Sequence, residues 1–80
     1  MTEQQIQKKI IDDYESRGYY VIKLIRTNKN GIPDLIAIPK NSDVEFIEVK
    51  TETGTTSPLQ DYRLKELETY GIKCSVRSGV

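Results

Sequence analysis

Histidine is absent from this chain of 80 residues, and cysteine occurs once, as Cys74. Each absence removes a chemistry. Without histidine there is no Ser-His-Asp or Cys-His arrangement within the chain, and no imidazole to act as general base. With one cysteine there is no internal disulfide, and a zinc staple lacks its usual ligands. A lone thiol suits a reducing cytosol. Long apolar runs are missing too. No stretch approaches the ~20 apolar residues of a membrane span, and the opening Met1-Thr2-Glu3-Gln4-Gln5 lacks the apolar core of a signal peptide. The expectation is a soluble, cytoplasmic protein. Its length predicts one domain over residues 1–80. So short a chain buries a modest core, which makes self-association a reasonable route to further burial.

What remains for catalysis is carboxylates, lysines, tyrosines or a bound metal. Carboxylate oxygens are hard ligands and point to Mg2+ or Mn2+. Twelve Lys+Arg balance twelve Asp+Glu, so there is no net charge to attract nucleic acid. The distribution is less even. From Tyr19 to Ile32 the charges are Lys23, Arg26 and Lys29, all positive. A divalent ion held by acids would add two more positive charges. Three cations alone equally describe an ordinary solvated surface.

Ile6, Ile10 and Tyr14 recur every fourth residue, with Ile11 beside them, and predict a helix over Thr2–Arg17. Thr2 and Gln5 form a capping box at its start and Gly18 ends it. Tyr19–Ile25 is β-branched and aromatic, and reads as a strand. Thr27–Gly31 is a turn or mobile loop. Two more strands follow, Asp34–Ile38 and Val44–Lys50, joined by a turn over Pro39–Asp43. A polar loop, Thr51–Thr56, leads to Ser57-Pro58-Leu59-Gln60, a strong helix start. That helix runs to about Tyr70, with Leu64 and Leu67 inward and Gly71 as its stop. Lys73–Arg77 is a last strand. The order α-β-β-β-α-β gives an α/β sandwich. Three strands form an antiparallel meander, and the second helix crosses over to the fourth, making a small mixed sheet flanked by helices.

The middle hairpin gathers acidic groups. If Ile38 faces Val44 across the turn, stepping back along both strands brings Asp34 opposite Glu48. Opposed carboxylates have Cβ atoms ~5 Å apart and repel, unless a cation lies between them. A one-residue slip would spoil the pairing. Glu48 and Lys50 share a strand face, while Ile47 and Val49 point to the other. Asp34 and Glu48 would hold a metal, with the Val49 carbonyl as a further ligand. Such a metal would polarise a phosphate and activate water. Lys50 would orient or deprotonate that water, or stabilise transition-state charge. The bland alternative is an aspartate following a proline in a turn and a solvent-facing Glu-Lys pair on an edge strand.

Gly31-Ile32-Pro33-Asp34-Leu35-Ile36, Phe46-Ile47-Glu48-Val49-Lys50 and Ser57-Pro58-Leu59-Gln60, in this order, resemble the PD-(D/E)XK nuclease superfamily and, within it, the VRR-NUC group. The ends Thr2–Ile6 and Ser75–Ser78 look like that group's ends, so the resemblance covers nearly the whole chain. It implies a restriction-endonuclease-like core, a divalent-metal-dependent endonuclease, Asp34 and Glu48 as metal ligands and Lys50 as the catalytic lysine. It adds Glu3 near the metal and Gln60 lining the site. Glu3 would in any case favour the helix dipole, and Gln60 would in any case close a capping box. Very short stand-alone members are phage-like and resemble Holliday-junction resolvases. This implies a homodimer that nicks branched DNA, a two-fold enzyme on a two-fold substrate. Lys29, Thr55, Thr56 and Ser57 are candidate phosphate contacts. Tyr19 and Tyr20 are candidate stacking residues, though packing in the core and at a dimer surface explains them more simply. The competing functions are a DNA-binding module that does not cut, and an interaction protein with incidental charges.

Overall fold

The computed structural model describes residues 1–40 and 42–78; Asn41, inside the predicted turn, lies outside the described residues. The element order is α1 (Glu3–Ser16), β1 (Tyr20–Lys23), β2 (Leu35–Ile38), β3 (Glu45–Lys50), α2 (Pro58–Thr69) and β4 (Lys73–Ser78). The strands lie in the order β1-β2-β3-β4, antiparallel from β1 to β3 and parallel between β3 and β4. This is the mixed sheet that the element order predicts.

Helix α1 starts where its caps dictate. The Thr2 hydroxyl accepts from the Gln5 amide, and the Gln5 side chain accepts from the Thr2 amide. Its apolar stripe, Ile6, Ile10 and Tyr14, packs on Leu35 and Ala37 of β2 and Ile47 and Val49 of β3 to form the core. Tyr19 joins this face edge-on to Tyr14, with ring centroids 4.9 Å apart. Of the two tyrosines, it is Tyr19 that packs, partly buried, against the core. Tyr20, one residue on, is exposed.

The opposite face is covered more thinly. Helix α2 buries none of its residues, and Leu64 and Leu67 are half-buried rather than fully inward. Strand register puts Ile22, Ile36, Phe46 and Cys74 in one row across this face. Ile22 and Val76 remain exposed at its margins. One charged residue enters the α1 side: Glu45 is buried, accepting from Tyr14 Oη at 3.4 Å and Ser75 Oγ at 2.7 Å. Arg77 donates to the same Tyr14 oxygen at 2.9 Å. This network ties β4 to α1 across the sheet, so the buried carboxylate is hydrogen-bonded as its cost demands.

Strand β1 is shorter than predicted. The Leu24 amide still bonds to the Asp34 carbonyl at 2.8 Å, but Ile25 leaves the sheet and is exposed. Strand β2 likewise begins at Leu35, so Asp34 stands just before it. Among the described residues no helix is long and apolar enough to cross a membrane.

Candidate active site

The register of the central hairpin decides what meets at its end. Leu35 pairs with Ile47, Ile36 with Phe46 and Ala37 with Glu45. The next step back sets Asp34 opposite Glu48, the pairing read from the turn length. Asp34 is held from three sides. Its amide donates to the Ile47 carbonyl at 3.1 Å, its carbonyl accepts from Leu24, and its carboxylate accepts from the Val49 amide at 2.8 Å. The side chain is thus pinned by main chain rather than by a mobile partner.

The approach to Asp34 is fixed by helix α2. Gly31 has φ +81°, and a Cβ there would lie 2.8 Å from Leu59 Cγ. Only glycine lets the loop turn and lie against α2 in this way. Arg63 Nε donates to the Asn30 carbonyl at 2.9 Å and fastens the same contact. Gln60 follows Leu59 on this helix, so the docking that seats the loop also delivers Gln60 to the site.

Gln60 bonds both to the backbone and to a carboxylate of the site. Its Oε1 accepts from the Ser57 amide at 2.9 Å, which closes the capping box. Its Nε2 donates to Glu48 Oε2 at 3.1 Å. Lys50 Nζ pairs with the same Oε2 at 3.4 Å. Glu48 is 1% exposed, and its other oxygen, Oε1, is buried with no partner. Burial, and then the neighbouring Asp34 carboxylate, push the Glu48 pKa up to about 7, against the pull of Lys50.

Glu3, in the first turn of α1, completes the group. One carboxylate oxygen from each of Glu3, Asp34 and Glu48 lies within 4.8 Å of the others. Three acids converging at this range repel one another unless protonated or neutralised by a cation. An all-oxygen donor set of this kind, with an orphaned buried oxygen among it, fits a hard divalent ion. The structure therefore brings together Glu3, Asp34, Glu48, Lys50 and Gln60, and Val49 contributes its amide to Asp34.

Two cavities flank the carboxylates. One, of about 290 Å³, is lined by Asp34 together with Arg26 and Lys29. The other, of about 530 Å³, is lined by Glu3 together with Gln7 and Lys23. Each of the three cations isolated in the sequence thus shares a cavity with one of the acids. Thr56 and Ser57 each make one bond within the chain: the Thr56 hydroxyl bonds to Asp61 and the Ser57 hydroxyl caps α2. Gln7 was not anticipated from sequence. Its signal was its spacing, one helical turn after Glu3.

No curated protein matches the chain. The chain is similar to two solved VRR-NUC domain structures. The first is 29% identical, covers 96% of this chain and 83% of its own, and has a TM-score of 0.84. The second is 20% identical, covers 99% and 79%, and has a TM-score of 0.82. The fold is also that of Hjc, a Holliday junction resolvase of the archaeal hyperthermophile Archaeoglobus fulgidus, at 16% identity and a TM-score of 0.73. That match covers 96% of this chain and 63% of Hjc. The VRR-NUC domain family model matches residues 19–80, most of the chain and all of the site except Glu3. On that match, with the three motifs on one sheet end, the chain belongs to the VRR-NUC domain family of PD-(D/E)XK-type nucleases.

Proposed function

We propose that the protein is a divalent-metal-dependent endonuclease that hydrolyses phosphodiester bonds in branched DNA, working as a single domain and as a homodimer. The observation that carries this reading is the convergence of three carboxylates beside Lys50, with one buried oxygen of Glu48 unpartnered. Glu3, Asp34 and Glu48, with the Val49 carbonyl, would hold Mg2+ or Mn2+. A bound divalent ion supplies Lewis-acid polarisation of the phosphate and makes water more acidic.

The chain's own groups do the rest. The Val49 amide and Gln60 fix the two main carboxylates, so little reorganisation is needed when substrate arrives. Lys50, held at the edge of the site by Glu48, orients the attacking water and stabilises charge on the phosphoryl oxygens. Arg26, Lys23 and Lys29 bring positive charge to either side, where the strand flanking the cut would run. Pairing of two copies rests on the two-fold substrate and on the small core of a chain this short.

The test is cleavage of labelled four-way junction, flap, splayed arm and linear duplex with Mn2+, Mg2+ or chelator. Metal-dependent nicking, strongest on branched substrates, is expected. Lys50→Ala should lower the rate by about 10²–10⁴-fold. Tight binding without cutting under every metal would show a binding module instead. No binding at all would show an interaction protein.

A further inference from the structure

The larger of the two cavities lies between α1 and the end of β1. Its volume is about 530 Å³, and Glu3, Gln4, Gln7, Lys23, Leu24 and Ile25 line it. This is within the usual range for a site that takes a small organic group. Gln7 is 7% exposed, and its Oε1 is buried with no hydrogen-bond partner. Buried amides in native structures are normally satisfied, so the Gln7 oxygen, sealed just beside this cavity, is short of a donor. Glu3 lies one turn before Gln7 on the same helix face and belongs to both the cavity and the carboxylate group. Glu3 thus borders both the cavity and the carboxylates around which a phosphodiester would be cut.

The remaining walls suit one class of ligand. Ile25 is 88% exposed at the rim, a flat apolar contact for a base or deoxyribose. Lys23 is an exposed cation for a phosphate. Gln7 offers an acceptor and amide donors, the set that reads a base edge. Resting on the nuclease reading above, we infer that this cavity is the subsite for the nucleotide next to the cleaved bond, with Gln7 as its recognition residue. A base reaches a buried amide only when it has left its stack. The subsite thus selects nucleotides already unpaired, as in a flap or splayed arm, and would give a preference for such branched DNA a physical source.

The test separates this subsite from the reading on which it rests. Thymidylyl-thymidine is titrated into protein with labelled glutamine side-chain amides, in calcium, and followed by NMR. The Gln7 amide signals should shift. Gln7→Met keeps the length and removes the polar atoms, and should weaken dinucleotide binding about five- to tenfold. Ile25→Asp alters an exposed residue that supports no packing, so it keeps the test valid if Gln7→Met folds poorly; it should weaken binding similarly. On DNA, Gln7→Met should raise KM about five- to tenfold with kcat within about twofold. An unmoved Gln7 signal with unchanged affinity in both variants overturns the subsite, even if the protein cleaves DNA. A shifted Gln7 signal in a protein that cuts nothing supports nucleotide binding in this cavity and removes the nuclease reading.

Discussion

Replacing Glu48 by glutamine should make the metal-free protein more stable and the metal-loaded protein less so. Glu48 is buried, faces Asp34, and has its pKa raised from 4.5 to about 7. A carboxyl whose folded pKa lies above its unfolded one adds stability that is complete below the unfolded value. That stability is lost as pH rises through the folded value. The window is therefore pH 4.5 to about 7. Converted at 1.36 kcal/mol per unit, the charge at position 48 costs the fold at most about 3 kcal/mol at pH 8. Glutamine has the same shape and keeps a carbonyl to accept from Gln60, but it weakens the partner of Lys50, which is 15% exposed. The net gain at pH 8 is then about 1–3 kcal/mol, or a melting temperature higher by roughly 5–20 °C for a domain of this size. Near pH 4.5 the two proteins should melt together. The assay is urea or thermal unfolding in chelator from pH 4.5 to 8, repeated with saturating Mg2+ or Mn2+. Metal should raise the melting point of the wild type at pH 8 and leave the variant nearly unmoved. A Glu48→Gln protein less stable than wild type in chelator at pH 8 would refute the assignment of strain to this carboxylate.

Two further outcomes follow from the packing around the site. Gly31→Ala puts a methyl 2.8 Å from Leu59 Cγ at φ +81°, and should cost about 1–3 kcal/mol in denaturant unfolding. Because the same contact seats both Asp34 and Gln60, metal affinity measured by calorimetry should fall with it. Tyr14→Phe removes a hydroxyl that Glu45 and Arg77 share, and should destabilise by about 1–3 kcal/mol while leaving metal affinity unchanged. Altered metal binding in Tyr14→Phe would mean the two networks communicate through the sheet.

Much of this arrangement is legible in the residues. Both helices begin at capping boxes, Thr2 with Gln5 and Ser57 with Gln60, because those side chains can satisfy the first free amides locally. The hairpin register follows from the turn and from the alternation of Leu35, Ala37, Ile47 and Val49 toward one core. The placement of Asp34 against Glu48 follows from that register. Less legible are features that depend on distant parts of the chain. Glu45 looks like any strand-edge acid until Tyr14 and Ser75, 31 and 30 residues away, close over it. Gln7 reads as a polar helix residue, and its burial depends on how closely α1 approaches β1. The shallow seating of α2 is hidden as well. Its leucines have core spacing and are half-buried, but its position is also set by Leu59 against Gly31 and Arg63 on Asn30, contacts that no apolar stripe announces.

Strand β3 carries Glu48 and Lys50, and its main chain grips Asp34 from β2 while β4 flanks it on the other side. Glu48 and Lys50 are thereby rooted in an inner strand of the sheet, where local opening is rarest, whereas Glu3 sits in the first turn of α1 near the chain's N-terminus. Amides at Ile47 and Val49 should exchange with solvent only when the whole molecule unfolds. Heating should then extinguish the Asp34–Glu48 part of the centre along the same curve as the fold itself, while Glu3 can be released earlier by fraying of the first turn of α1.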